Sequence, residues 1–118
     1  GSLSDIEFLT QLLQIEYGYN EPALRVPGTL DALARLRDHD LLIRTEEETL
    51  RESYIFCTRV RLRLHLQSGR AADSLPTDSD ELIRLASSLG YPRASELRDQ
   101  YRRVTRRART VFEERFYE

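Results

Sequence analysis

An all-α fold, a bundle of about five helices, is the architecture that this 118-residue sequence predicts. Three observations carry the expectation. Apolar residues recur at three- and four-residue spacing through five separate segments. Proline and glycine cluster between those segments rather than within them. Strand-like alternation is confined to RVRLRLHLQ at 59–67, and that stretch continues in register a helical period that starts at Leu50.

The first helix is expected from Ser4, which stands three positions before Glu7 at capping-box spacing. Ile6, Leu9 and Leu13 form one row along it, and Phe8, Leu12 and Ile15 form a second row displaced around the axis. GYNEPALRVPGT at 18–29 reads as a loop. A short second helix, capped by Gly28 or Thr29, carries Leu30, Leu33, Ala34 and Leu36, and Asp38-His39-Asp40 breaks it. Thr45 and Glu48 repeat the capping-box spacing at the start of a long third helix that reaches Gln67. Its stripe is Leu50, Tyr54, Cys57, Arg61 and Leu64, with Val60 alongside, and Gly69 stops it. RAADSLPTDSD at 70–80 is a second loop. A fourth helix bears Leu82, Leu85, Ala86 and Leu89 and closes at Gly90. After Tyr91-Pro92 a fifth carries Leu97, Tyr101, Val104, Ala108 and Val111. Five amphipathic helices with short connections make a bundle.

Composition narrows the function classes. The length suits a single domain spanning 1–118 with a core of its own. No apolar run is long enough for a membrane span, and the opening residues lack the basic segment of a signal peptide, so a cytoplasmic protein is expected. Cys57 is the single cysteine, which excludes an internal disulfide and a four-cysteine zinc site. A small buried apolar group is its expected role. All 18 basic residues are arginine, yet 20 acidic residues leave a net charge of −2. That balance argues against a dedicated nucleic-acid or membrane-surface module.

Candidate chemistry is sparse. Asp38-His39-Asp40 and Asp78-Ser79-Asp80 both have the Asp-x-Asp spacing that can hold Mg²⁺ in nucleotidyl transfer. Neither stands beside a glycine-rich phosphate cradle, and acidic residues at 78–80 complement a helix start. No Ser, His and acid arrangement suggests a nucleophile. Arg61 and His65 sit on or near the apolar stripe of the third helix, where a buried charge requires a partner, so both are expected as structural polar groups. Arg61 in particular is expected to be partly buried and paired with a carboxylate. The last helix carries Arg98, Arg102, Arg103, Arg106, Arg107, Arg109 and Arg115 against four acidic residues, a face read as solvated or partner-facing because no aromatic residues interleave it.

Resemblance extends this reading. The opening SLSDIEFLTQLLQ resembles the Gly-Gly-x-x-Asp-Ile-Glu-Phe segment that follows a nucleotidyltransferase domain in glutamine synthetase adenylyltransferases. PALRVPGTLDALARLRDHDLL and RVRLRLHLQSGRAADSLP are similar to the next stretches of that family. RVRLRLHLQSGR with LASSLGY is also similar to the related uridylyltransferase of the PII signal protein. The order and spacing of these segments cover nearly the whole chain, and DIEF with the long loop favours the adenylyltransferase.

The resemblance implies a parent enzyme that transfers AMP from ATP, with Mg²⁺, to a tyrosine of glutamine synthetase, or removes it by phosphorolysis. It further implies that this chain is a fragment of that multidomain enzyme and begins where a catalytic domain ends. Its Gly-Ser and Asp-x-Asp catalytic motif is absent here, so the chain alone is expected to be inactive, with no catalytic, cofactor or metal residues. Asp5 and Glu7 match the boundary motif, while Gly1-Ser2 stand in place of the paired glycines. Asp5, Glu7, Phe8 and Leu12 are the expected interdomain contact. The expected role is a helical domain that braces the nucleotidyltransferase domain and relays regulation of nitrogen assimilation, with glutamine synthetase and the PII protein as partners of the parent. The alternatives are the equivalent domain of PII uridylyltransferase, or a freestanding interaction or nucleic-acid module using the arginine-rich last helix.

Overall fold

In the computed structural model, which describes residues 2–18, 28–69 and 74–116, five helices form in the expected order. They are α1 (Ser2–Gly18), α2 (Thr29–Asp38), α3 (Arg44–Ser68), α4 (Ser79–Ser88) and α5 (Ala94–Phe116), and no strand occurs among the described residues. The alternating segment 59–67 is helical throughout. Most of the first loop and the start of the second, 19–27 and 70–73, lie outside the described residues. None of the helices is long and apolar enough to cross a membrane.

Helix ends follow local chemistry, with two shifts from the expected caps. α1 is already helical at Ser2, so Ser4 lies inside the helix rather than at its cap. α3 starts one residue before Thr45, because the Glu46 carboxylate accepts a hydrogen bond from the Ile43 backbone N–H at 3.0 Å. Glu46, not Glu48, is therefore the acid that reaches back over the first turn. α2 opens from Gly28 without a side-chain cap, and its buried face is Ala32, Leu33 and Leu36, leaving Leu30 outward. Asp78 caps α4 by accepting from the Glu81 N–H at 2.9 Å. Gly69 ends α3 at φ 74°, a conformation that glycine adopts without the steric cost a Cβ imposes.

The two long helices, α3 and α5, pack antiparallel and form the axis of the molecule. Leu50 in the first half of α3 meets Ala108, Val111 and Phe112 in the second half of α5. Val60 and Leu64 in the second half of α3 meet Leu97 near the start of α5. Two apolar clusters result. The first takes Ile6, Leu9 and Leu13 from α1, Leu33 and Leu36 from α2, and Leu42 from the turn after it. The second takes Leu82, Leu85 and Ala86 from α4. Between them, Ser53 and Cys57 are buried at a waist where the Phe56 and Tyr101 rings approach to 6.3 Å between centroids. The molecule is accordingly elongated, 50 × 26 × 21 Å.

Among the described residues two acidic side chains are buried, Glu46 and, more deeply, Glu47. Glu47, three residues before Leu50 and on its face of α3, is only 1% exposed. Its carboxylate meets Arg51 on α3 at 2.6 Å and Arg37 on α2 at 3.8 Å, so the ion pair joins the two helices. The Arg51 approach is off the hydrogen-bonding direction, leaving the contact chiefly electrostatic. Removing one partner of a buried pair leaves an uncompensated charge, whereas replacing the pair with apolar groups relieves it. Arg51→Met is expected to destabilise the chain by about 3 kcal/mol in urea titration, and Glu47→Leu with Arg51→Met to recover most of that loss. Equal losses in the single and double variants would contradict this role.

Burial pushes the Cys57 thiol above its ordinary pKa, and the Ser53 hydroxyl one turn earlier opposes the shift only in part. The folded chain keeps this proton at pH values where the unfolded thiol has already ionised. Stability is therefore full below the unfolded thiol's range and is lost as the pH climbs from there towards the folded value. A protonated, enclosed thiol also reacts slowly. Modification of Cys57 by an aromatic disulfide reagent is expected to rise with urea in parallel with the unfolded fraction. Rapid stoichiometric modification of the native chain would contradict that expectation.

Candidate interdomain surface

The outward side of α1 is the first candidate surface. Ile6, Leu9 and Leu13 are buried against α2, α3 and α5, and Thr10 between them satisfies its hydroxyl by donating to the Ile6 carbonyl at 2.7 Å. On the second row, Phe8 is 54% exposed and Ile15 is 74% exposed, while Leu12 and Glu7 are half-buried. Helix geometry permits this division, since the rows lie on different sides of one cylinder. Of the four expected contact residues, Glu7, Phe8 and Leu12 thus share the rim and outer side of α1. Asp5 lies within the helix, but its side chain falls outside the described residues.

Arg61 corrects the sequence reading. It is exposed, and it forms no ion pair among the described residues. The buried row of α3 steps through Leu50, Ser53, Cys57, Val60 and Leu64. At Cys57 the step to the next turn goes three residues to Val60 rather than four to Arg61, which turns Arg61 off the packed side. His65 is exposed one position beyond Leu64, so it too lies off the core. Neither is a buried structural contact. The enclosed charge of α3 is Glu47 instead, and its signal was its spacing of three from Leu50 within Glu46-Glu47-Glu48.

Both Asp-x-Asp pairs sit at helix ends. Asp78 uses its carboxylate to cap α4, and Asp80 points outward in the first turn. Asp38 pairs with Arg37 at 3.5 Å, and Asp40 occupies a left-handed turn at φ 60°. Among the described residues no group of three His, Cys, Asp or Glu side chains converges on a point that could hold a metal ion. What the sequence did not disclose is a groove of about 360 Å³ between α1, α3 and α5, floored by Ile6, Leu9 and Leu50 and edged by Arg102 and Arg106. The row of arginines on α5 was visible; the groove beside it depends on how three helices meet.

Comparison with known proteins places this architecture. A family model described as GlnD PII-uridylyltransferase matches residues 1–116. The bifunctional glutamine synthetase adenylyltransferase/adenylyl-removing enzyme of Streptomyces coelicolor is 44% identical across 99% of this chain, which corresponds to 12% of that relative. Its counterpart in Streptomyces avermitilis is 43% identical with the same coverage. The counterpart in Leifsonia xyli is 42% identical, again over 99% of this chain. The chain therefore spans about 12% of the length of the curated relatives it matches. Matched from residue 1 to 116 and similar over nearly its full length to glutamine synthetase adenylyltransferases, the chain belongs to the GlnD PII-uridylyltransferase family.

Proposed function

We propose that this chain is a non-catalytic helical domain of a bifunctional glutamine synthetase adenylyltransferase/adenylyl-removing enzyme. In this reading it is part of a larger cytoplasmic enzyme that uses ATP and Mg²⁺, acts on glutamine synthetase and answers to the PII protein. The helical domain braces the neighbouring nucleotidyltransferase domain and relays regulation to it.

The observation that carries the reading is the exposed row of α1, Phe8 and Ile15 with Leu12 at its edge, on a helix whose opposite row is fully packed. An aromatic and a large aliphatic residue on one outward helix face form the kind of apolar surface that interdomain contacts use. The acidic pairs support the non-catalytic part, since Asp78 is occupied by capping and neither pair has a phosphate cradle. The names of the relatives support the adenylyltransferase assignment, and the family description keeps the PII uridylyltransferase as the second reading.

Association of the chain with a separately produced nucleotidyltransferase domain of its parent tests the brace. Phe8→Asp is expected to weaken that association by about tenfold or more in calorimetry, a loss of about 1.4 kcal/mol or greater. The same substitution is expected to lower the melting temperature far less than Leu9→Asp, because Phe8 is 54% exposed and lies outside both apolar clusters. Unchanged association of the variant would contradict the proposed contact.

A further inference from the structure

The outward side of α3 carries apolar residues that nothing in the brace uses. Alternate residues on a helix point about 200° apart, so RVRLRLHLQ places its apolar residues on opposite sides. Val60 and Leu64 are buried in the core, whereas Leu62 is 56% exposed and Leu66 is 71% exposed. Ile55, two turns before Leu62 and on its side of the helix, is 43% exposed. The strand-like alternation is thus the mark of a helix with two apolar sides, of which one is packed. Charges border the outward side unevenly. Glu48 and Glu52 precede Ile55, Arg59 and Arg63 follow it, and all four are exposed. Glu48 pairs with Arg44, while Glu52, Arg59 and Arg63 form no ion pair among the described residues.

We infer that this face pairs with the same face of a second copy of the chain, α3 against α3 in antiparallel sense. The distribution of charge selects that occupant. A two-fold axis crossing the pair at the level of Cys57 and Thr58 sets Glu52 of each copy level with Arg63 of the other, on the same flank. The same axis brings Ile55 of each copy within about 3 Å, measured along the helix, of Leu62 of the other. One register therefore satisfies the ion pairs and the apolar contacts together. A parallel pair would set Glu52 beside Glu52 and Arg63 beside Arg63, which like charges oppose. The two Arg59 side chains come near the axis, which offsets part of the gain and limits the affinity. Glu48 and Glu52 on the same side as the leucines disfavour nucleic acid as the occupant.

Sedimentation equilibrium of the full chain tests the pairing. A monomer–dimer equilibrium is expected with a Kd on the order of 100 μM, as suits a small and partly polar interface. Leu62→Glu is expected to weaken it by about tenfold or more. Helical circular dichroism of that variant is expected to be retained, because Leu62 lies outside both apolar clusters. Glu52→Arg is expected to weaken the dimer by about tenfold, and Glu52→Arg with Arg63→Glu to restore it, since reversing both charges rebuilds the pair. Arg59→Leu is expected to tighten it. Phe8→Asp is expected to leave self-association unchanged, which separates this face from the brace. The inference is overturned if the chain stays monomeric at about 1 mM, tenfold above that Kd. A dimer indifferent to Leu62→Glu, or a charge-reversed pair no stronger than Glu52→Arg alone, overturns it equally. So does a Leu62→Glu variant that loses association with the nucleotidyltransferase domain while its self-association is unchanged, which would assign the face to that domain.

Discussion

The antiparallel packing of α3 against α5 is the constraint on which the rest of this structure depends. Each short element is too small to hold itself: α2 and α4 have ten residues each, below the length at which an isolated helix is stable in water. They form because the long pair offers each an apolar surface, α2 beside Leu50 and α4 beside Val60 and Leu64. The same pair separates the two clusters along one axis, so the molecule is long rather than round. Burial of the leucines in both clusters drives the assembly, each side chain contributing about 1.5–3 kcal/mol against the entropy of ordering the chain.

Polar groups determine how the elements are joined to that axis. Glu47 links α2 to α3 through Arg37 and Arg51. A buried pair of this kind is weak evidence for stability and acts on the geometry of the junction. At the other end, the side-chain amide of Gln67 donates to the Glu81 carbonyl at 2.9 Å and ties the end of α3 to the first turn of α4. Two features of the surface follow from this arrangement. α1 has one row fixed in the core and so presents the other outward, while α5 lies beside α1 and turns Arg102 and Arg106 along the seam.

Much of this was legible in the sequence, because helix periodicity and stop residues are local signals. All five helices, the stop at Gly69, the helix start at 78–80 and the existence of two distinct rows on α1 could be derived from spacing. Where the reading failed, a tertiary choice was involved. Arg61 and Val60 both neighbour the stripe of α3, and only the direction of approach of α4 and α5 decides which is enclosed. Glu46, Glu47 and Glu48 are alike in sequence; the structure uses the first to hold the Ile43 N–H, encloses the second and leaves the third to pair with Arg44 at 2.9 Å on the surface. The groove beside the α5 arginines needs three helices to exist, so no single segment announces it.

Amide hydrogen exchange under native conditions tests the role of the α3–α5 axis most directly. If the pair holds both clusters, the slowest amides lie in α3 and α5 from Leu50 to Leu64 and from Leu97 to Phe112, and they exchange together at the free energy of global unfolding. Amides of α2 and α4 then exchange at or below that value. The account is contradicted if the second halves of α3 and α4 open together with the start of α5 at a much lower free energy than the rest, which would make the two clusters independent units.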